Sequence, residues 1–521
     1  MKARKPILAL ALALALTLTA CGSAGTASSA AASASSAKSN TLVYGSNDYT
    51  RINPALDEHG EINALLFDGL TGHDKDNQVV PRLAESWELD KATNTYTFHL
   101  RQDVTWHDGE KFTAEDVKFT IEAIQDPKNE SENASNYEDV EKITVVDDHT
   151  VKFQLSAPNY AFLEYMTMAI LPKHLLEGKD LQTDDYFRHP IGTGPYKLQS
   201  WDAGQAITLV RNEDYFRGKA HIETIIFRIV PDSNAKALQL KSGELNLSQV
   251  TPKDAKTFAD AKGQTVYEMK TSDYRGILYN FANDYWKKNA DLIPAFNYAI
   301  DRQAMIDAVL LGAGEVAYGP LQRNIYNCED VEHYDYDPDK AMKTLEAAGC
   351  TKGKDGFYYR DGQKVGFVIS VGAGDQVRLD MAQIAAQQLK AVGVDVTVDV
   401  PAQVDWGGQD AYLIGWGSPF DADDHTYKVF GTGKGSNYSS YSDKLVDQYL
   451  TEARQTDDTQ KRKEAYAKFQ KELAKNPAYT FFCYIDAFYV ADNSLKGITP
   501  DTVLGHHGVG IFWNVLDWTL E

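Results

Sequence analysis

The 521-residue chain has only four cysteines, and they form no Cys-x-x-Cys pair, so neither a disulfide-stapled scaffold nor a structural zinc knuckle is expected. Cationic residues are also scarce: Lys+Arg number 52 against 74 Asp+Glu, a net charge of −22. A surface that acidic repels phosphate backbones, which excludes nucleic acid as a partner. No apolar run reaches the roughly 20 residues of a membrane span. There is no G-x-S-x-G elbow and no H-E-x-x-H helix, and the glycine-rich GTGKGS at 431–436 has Lys428 where a phosphate-binding loop needs its first glycine, so it reads as a turn. No repeat of solenoid period occurs. With 43% apolar and 11% aromatic residues the body has ample material for a packed core.

The first residues concern trafficking. Lys2, Arg4 and Lys5 precede an apolar run from Ile7 to Leu18, and the run ends in Leu18-Thr19-Ala20-Cys21-Gly22. This is an export signal, and its end resembles a bacterial lipobox, in which cleavage before Cys21 leaves that thiol to carry a lipid. One acyl chain anchors only marginally, so a multiply acylated Cys21 would give a stable tether. From Gly22 to about Asn40 the sequence is Ser, Ala, Gly and Thr with no aromatic residue, a flexible leash that cannot repay its own ordering entropy. The odd count of the remaining Cys328, Cys350 and Cys483 argues against a Cys328–Cys350 disulfide.

Helix and strand signals alternate along the body. Thr113 opens a capping-box-like T-A-E-D, followed by Val117, Ile121 and Ile124 at helical spacing until Pro127. The stretches 95–101 and 149–155 alternate like half-buried strands. Pro294 opens a helix whose Tyr298, Met305, Ile306 and Val309 share a face, with Gly312 at its end. From Val377 a helix carries Met381, Ile384, Leu389 and Val392, Gly393 stops it, and Val394, Val396, Val398 and Val400 alternate as a strand. Helices near 442–455 and 458–475 precede the strand TFFCYIDAFYV.

Several motifs together carry a family resemblance. PRLAESWELDKATNTYTFHLRQDVTWHDGEKFTAEDV at 81–117 resembles the signature of the family 5 extracellular solute-binding proteins, the oligopeptide, dipeptide and nickel receptors of ABC importers. LPKHLLEG, PIGTGPYKL, LVRNEDYFRGKA, LQLKSGEL, FNYAIDRQAMI, YDPDKAMKTLEAAG and IGWGSPFDADD follow in family order, so the resemblance covers about Thr41 to Glu521. It implies an α/β, two-lobed fold like that of the type II periplasmic binding proteins, with an extra domain in the first lobe. Mapped by motif order, 1–20 is the lipoprotein signal peptide and 21–40 the leash; 41–66, 191–270 and 491–521 form lobe I, 67–190 the extra domain, and 271–490 lobe II. The cross-connections would act as hinges, and a ligand touching both lobes would stabilise the closed form.

The resemblance also suggests ligand contacts. Peptide receptors of the family commonly place an aspartate three residues after the tryptophan of the second lobe's Gly-Trp to hold the peptide amine; here that position is Pro419, and Asp421 lies two residues on. Trp416 and Phe420, in W-G-S-P-F-D, instead look like the aromatic pair of the nickel-chelate receptors. The nickel receptors' arginine is not found around Met168 to Leu171. Tyr274 and Arg275 are candidates for a ligand carboxylate or carbonyl, and Glu58 and His59 lie where the first lobe borders the cleft. His425, His506 and His507 are candidate metal ligands, but adjacent histidines on extended backbone point to opposite faces and need a bend to converge. No resident metal site and no cofactor is expected. The expectation is a non-enzymatic, monomeric receptor, lipid-anchored on the extracytoplasmic face of the cell membrane, that delivers short peptides to ABC permease subunits. A metal chelate is the alternative ligand, and a secreted hydrolase the alternative from another class.

Overall fold

The computed structural model describes residues 40–57 and 60–521. Cys21, Glu58 and His59 therefore lie outside the described residues. An eleven-stranded mixed sheet organises the chain. Its central pair consists of the two longest strands, Gln264–Tyr279 and Tyr479–Asp492, which run antiparallel to each other. At one end of this pair, Leu247–Val250 joins Phe488–Ala491 and leads through Thr41–Ser46 to Thr224–Ile229, Ala206–Arg211 and Tyr196–Asp202. At the other end, Ala411–Trp416 joins Tyr274–Tyr279 and leads to Gly366–Ser370 and Asp395–Asp399. Each long strand thus belongs to one half of the sheet at its start and to the other at its finish. The ladder between them breaks between Lys270 and Tyr274, at the crossing.

Local sequence explains most of these elements. Gly366–Ser370 and Asp395–Asp399 are parallel neighbours, so the chain must cross over between them, and helix Gln376–Ala391 makes that crossover with Met381, Ala385 and Leu389 buried. Gly393, at φ +90°, supplies the left-handed residue that ends the helix, and a Cβ there would lie 2.8 Å from the Gly356 carbonyl. In the four-stranded antiparallel sheet Ala84–Asp90, Thr95–Leu100, Thr150–Leu155, Val140–Asp147, the alternation in 149–155 buries Val151, Phe153 and Leu155 and exposes Lys152 and Gln154. Helix Ala114–Gln125 begins with the Thr113–Asp116 capping box.

One expectation is corrected. The helix opened by Pro294 is not continuous: Ile293–Ala299 stops, and Asp301 caps a new helix, Arg302–Val309, by accepting the Ala304 N–H at 2.9 Å. Arg302 fixes the break from inside the core, donating to the carbonyls of Asn297, Tyr334 and Phe481. The apolar stretch INALLFDGL is helical only over Asn63–Leu66. Its Gly69 then packs so tightly on Thr167 that a Cβ would overlap the Thr167 backbone.

One core gathers residues from both ends of the chain, among them Leu42, Phe98, Phe153, Phe227 and Trp518. A second surrounds Trp286, Phe296, Phe367 and Leu389, and a third Phe430, Tyr466, Phe469 and Tyr479. Cys328, Cys350 and Cys483 are free thiols. Among the described residues no helix is long and apolar enough to cross a membrane.

Candidate ligand-binding site

The break between the long strands creates the site. Where the ladder shifts, Thr271–Asp273 leave the regular pairing: the Thr271 hydroxyl donates to the Ile485 carbonyl, and the Ser272 N–H donates to Leu504 O, tying the crossing to the C-terminal segment. Such irregularities re-aim side chains, and here Asp273 turns toward that segment. Its Oδ1 accepts from His506 Nδ1 at 2.9 Å, its Oδ2 accepts the His507 backbone N–H at 3.0 Å, and the Arg275 guanidinium also donates to Oδ1. Burial opposes charge on Asp273, but Arg275 and His506 outweigh it and hold the carboxyl well below its usual range.

The bend that extended backbone lacks is present. His507 sits at φ +58°, followed by Gly508 at +73°, and the two imidazole rings come within 3.9 Å centre to centre. The expected divergence of His506 and His507 is thus overturned: Asp273, His506 and His507 offer ligand atoms that all lie within 4.8 Å of one another. His507 is exposed at its outer side, and desolvation on its inner side together with His506 pushes its imidazole down to about 3. The Asp273 carboxylate accepting from His506 Nδ1 is an outer partner of the kind that orients metal-binding histidines.

Around this cluster is a compartment of about 310 Å³, whose lining includes Ser135, Arg378, Trp406, Trp416, Tyr438 and His507. Trp406 stacks on Tyr438 at 4.4 Å, Tyr438 on Trp416 at 5.9 Å, and Trp416 on His506 at 6.2 Å, a row of rings along one wall. Trp416 is set there by its flanking glycines: a Cβ on Gly415 would overlap the Arg275 guanidinium, and one on Gly417, at φ +156°, would overlap Ser272 O. Arg378, whose Nε lies 3.3 Å from Asp375 Oδ2, adds to the wall a guanidinium, the group that pairs with carboxylates. A second compartment of about 350 Å³ shares His506 with the first and is bounded by Phe67, Thr167, Pro419 and Phe420. Phe420 lies flat on His73 at 3.7 Å, and His73 pairs with Glu164 at 2.6 Å.

Of the residues singled out by sequence, Trp416 lines the first compartment and Phe420 the second. Asp421 lines neither; both its oxygens accept from Arg462, at 2.6 and 2.7 Å. Tyr274 is fully buried against Phe481 and Tyr484 and also lines neither, while Arg275 acts on Asp273. Asp273, Arg378, Trp406 and Tyr438 were missed. Only the D-Y-R run at 273–275 hinted at one of them, through its neighbours Tyr274 and Arg275.

Glu61 fastens the histidine-bearing segment from the other side. Its Oε1 accepts from Tyr489 at 3.2 Å and from the Gly510 N–H at 3.0 Å, and burial raises its pKa to about 7. Because the folded value exceeds the unfolded one, the folded state binds the extra proton, and stability falls as pH rises from about 4.5 to about 7. We expect Glu61→Gln to remove a few kcal/mol of that decline, measured as the difference in urea midpoints between pH 5 and pH 8.

A cleft lined from distant parts of the chain and spanned by two crossing strands is the arrangement of a two-lobed binding protein. Residues 78–438 match the family described as Bacterial extracellular solute-binding proteins, family 5 Middle, and the chain belongs to that family. It is 32% identical over 483 residues to Protein XP55 of Streptomyces lividans, covering 89% of this chain and 86% of the relative. It is 31% identical over 490 residues to the oligopeptide-binding protein AppA of Bacillus subtilis, covering 89% and 88%. The crystal structure of NikZ from Campylobacter jejuni in complex with Ni(L-His) superposes with a TM-score of 0.85 at 36% identity, covering 92% of this chain and 99% of that one. The protein is thus a substrate-binding protein of the kind that serves ABC importers, and not an enzyme.

Proposed function

We propose that the protein captures a divalent transition-metal ion held in a small amino-acid chelate and delivers it to ABC permease subunits. The observation that carries this reading is the convergence of Asp273, His506 and His507 within 4.8 Å, beside Arg378 and the row of rings ending at Trp416. A neutral imidazole supplies a nitrogen ligand, a guanidinium holds a chelator's carboxylate, and flat rings pack on a planar complex. The likeness to NikZ, solved with Ni(L-His), supports it.

Short peptides are the second reading. It is favoured by the cleft's continuation from the inner compartment into a second of about 350 Å³, more room than a small chelate fills, and by the likeness to AppA. Isothermal titration with Ni²⁺ plus L-histidine, Ni²⁺ alone and a library of two- to five-residue peptides separates the two readings. Saturable binding of nickel only with histidine supports the first; peptide binding without a nickel response supports the second. Under either, Trp416→Ala is expected to weaken the ligand about tenfold or more.

The remaining parts of the reading concern architecture and location. Lobe I comprises 41–66, 191–270 and 491–521, the extra domain 67–190, and lobe II 271–490; the strand break at 270–274 and the separate cores support the boundary between lobe II and the rest, while lobe I and the extra domain share one core. The receptor is a monomer tethered through lipidated Cys21 on the extracytoplasmic side, a reading supported by the Leu18–Gly22 sequence and the leash after it.

A further inference from the structure

Beyond the second compartment lies a third, of about 210 Å³, that the proposed function leaves unused. Asp68, Arg82, Tyr215 and Arg217 line one side, and Pro419 and Phe420, from the loop after Trp416, line the other. Its charges are unusual in a chain of net charge −22. The Arg82 guanidinium donates only to the carbonyls of His73, at 3.0 Å, and Pro81, at 3.3 Å; no acidic side chain pairs with it among the described residues. Burial lowers its pKa, and so does Arg217, a second guanidinium close by. Asp68 and Asp74 line the same cavity and act against that lowering, so they offset part of the charge; a carboxylate between the two guanidiniums would use the N–H donors that the two carbonyls leave over.

An acid waits at the same place. Asp68 is buried, its Oδ1 accepts from the Tyr215 hydroxyl at 2.9 Å, and its Oδ2 has no hydrogen-bond partner among the described residues. Burial raises its pKa to about 6, so it is mostly ionised above neutral pH and would gain from an ammonium donor. Asp68 and Phe420 also border the second compartment, so the two spaces meet there.

We infer that this third compartment recognises an unmodified α-amino-acid head, with its ammonium on Asp68 and its carboxylate between Arg82 and Arg217. A free amino acid presents the two charges on one carbon, as does a γ-glutamyl compound such as glutathione; an ordinary peptide separates them by its length. Because Pro419 and Phe420 form one wall, a head bound here touches both sides of the cleft.

The test uses the full folded body in metal-free buffer, so that the histidine cluster does not recruit a chelate. Free L-amino acids and glutathione are screened by thermal shift, and the best binder is titrated beside its amide and its N-acetyl derivative. We expect both derivatives to bind at least tenfold more weakly. Arg217→Ala, at an exposed position, and the near-isosteric Asp68→Asn should each weaken the parent by a similar factor, with unchanged circular dichroism. No thermal shift with any probe overturns the inference, as does an amide that binds like its parent or an affinity that Arg217→Ala leaves intact. In each of these cases retained nickel–histidine binding leaves the proposed function standing.

Discussion

Replacing His506 and His507 together by alanine is expected to lower affinity for a nickel–histidine complex by about 100-fold or more. Two nitrogen ligands are lost, and loss of one outer partner of a metal ligand alone typically costs 10–100-fold. The double variant leaves the Asp273–Arg275 ion pair in place, so the buried carboxylate keeps its counter-charge and the fold should survive. Asp273→Asn separates orientation from ligation: the histidines remain, but the amide offers one acceptor oxygen in place of two, so one of the hydrogen bonds that hold them is lost, and a loss of roughly 10–100-fold is expected. Titration calorimetry with circular dichroism as a folding control reads both. A double variant that binds nickel–histidine as well as the parent would remove the metal reading and leave the peptide one.

The second large effect concerns stability. Asp423 is buried and accepts from Arg454 Nη2 at 2.7 Å and Nε at 3.1 Å, and from the Tyr165 hydroxyl. Arg454 reaches on to Asp139 at 3.1 Å, its carbonyl accepts the Tyr160 N–H at 2.9 Å, and the Tyr427 ring covers its guanidinium at 3.4 Å. This cluster joins the helix Lys444–Arg454 to the segment around the four-stranded sheet, two regions separated by some 300 residues in sequence. Asp423→Ala leaves a buried guanidinium short of its main counter-charge, for which a loss of about 3–5 kcal/mol is typical. The urea midpoint should fall accordingly. The double variant Asp423→Ala with Arg454→Met should recover part of the loss, because the stranded charge is gone. A midpoint unchanged in Asp423→Ala would show that the cluster contributes nothing net.

Much of the architecture was readable because local signals agreed with the global fold. In 377–400 the helical period, the stop at Gly393 and the alternating valines all point to one crossover unit, and that unit is present. The Pro294 helix misled because its apolar face continues past Ile300; the Asp301 cap is local, but the buried Arg302 that fixes the break takes the carbonyls of Tyr334 and Phe481, far along the chain. The same distinction governs the site. Trp416 announced itself through flanking glycines, whose purpose is steric and local. Asp273 meets His506 across 233 positions, through a register shift and a positive φ at His507 that no local sequence pattern encodes. Asp421 looked like a free acid in the cleft loop because its partner, Arg462, comes from a helix 41 residues away.

The account depends on two halves, joined by the crossing strands at 264–279 and 479–492, closing on a guest that they leave chemically unchanged. X-ray scattering of the purified protein, with and without nickel–histidine and with and without the best-binding peptide, tests this most directly. The account predicts a smaller radius of gyration with at least one of these ligands, and recovery of that ligand intact. Superimposable profiles in every case, or a ligand recovered altered, would contradict it.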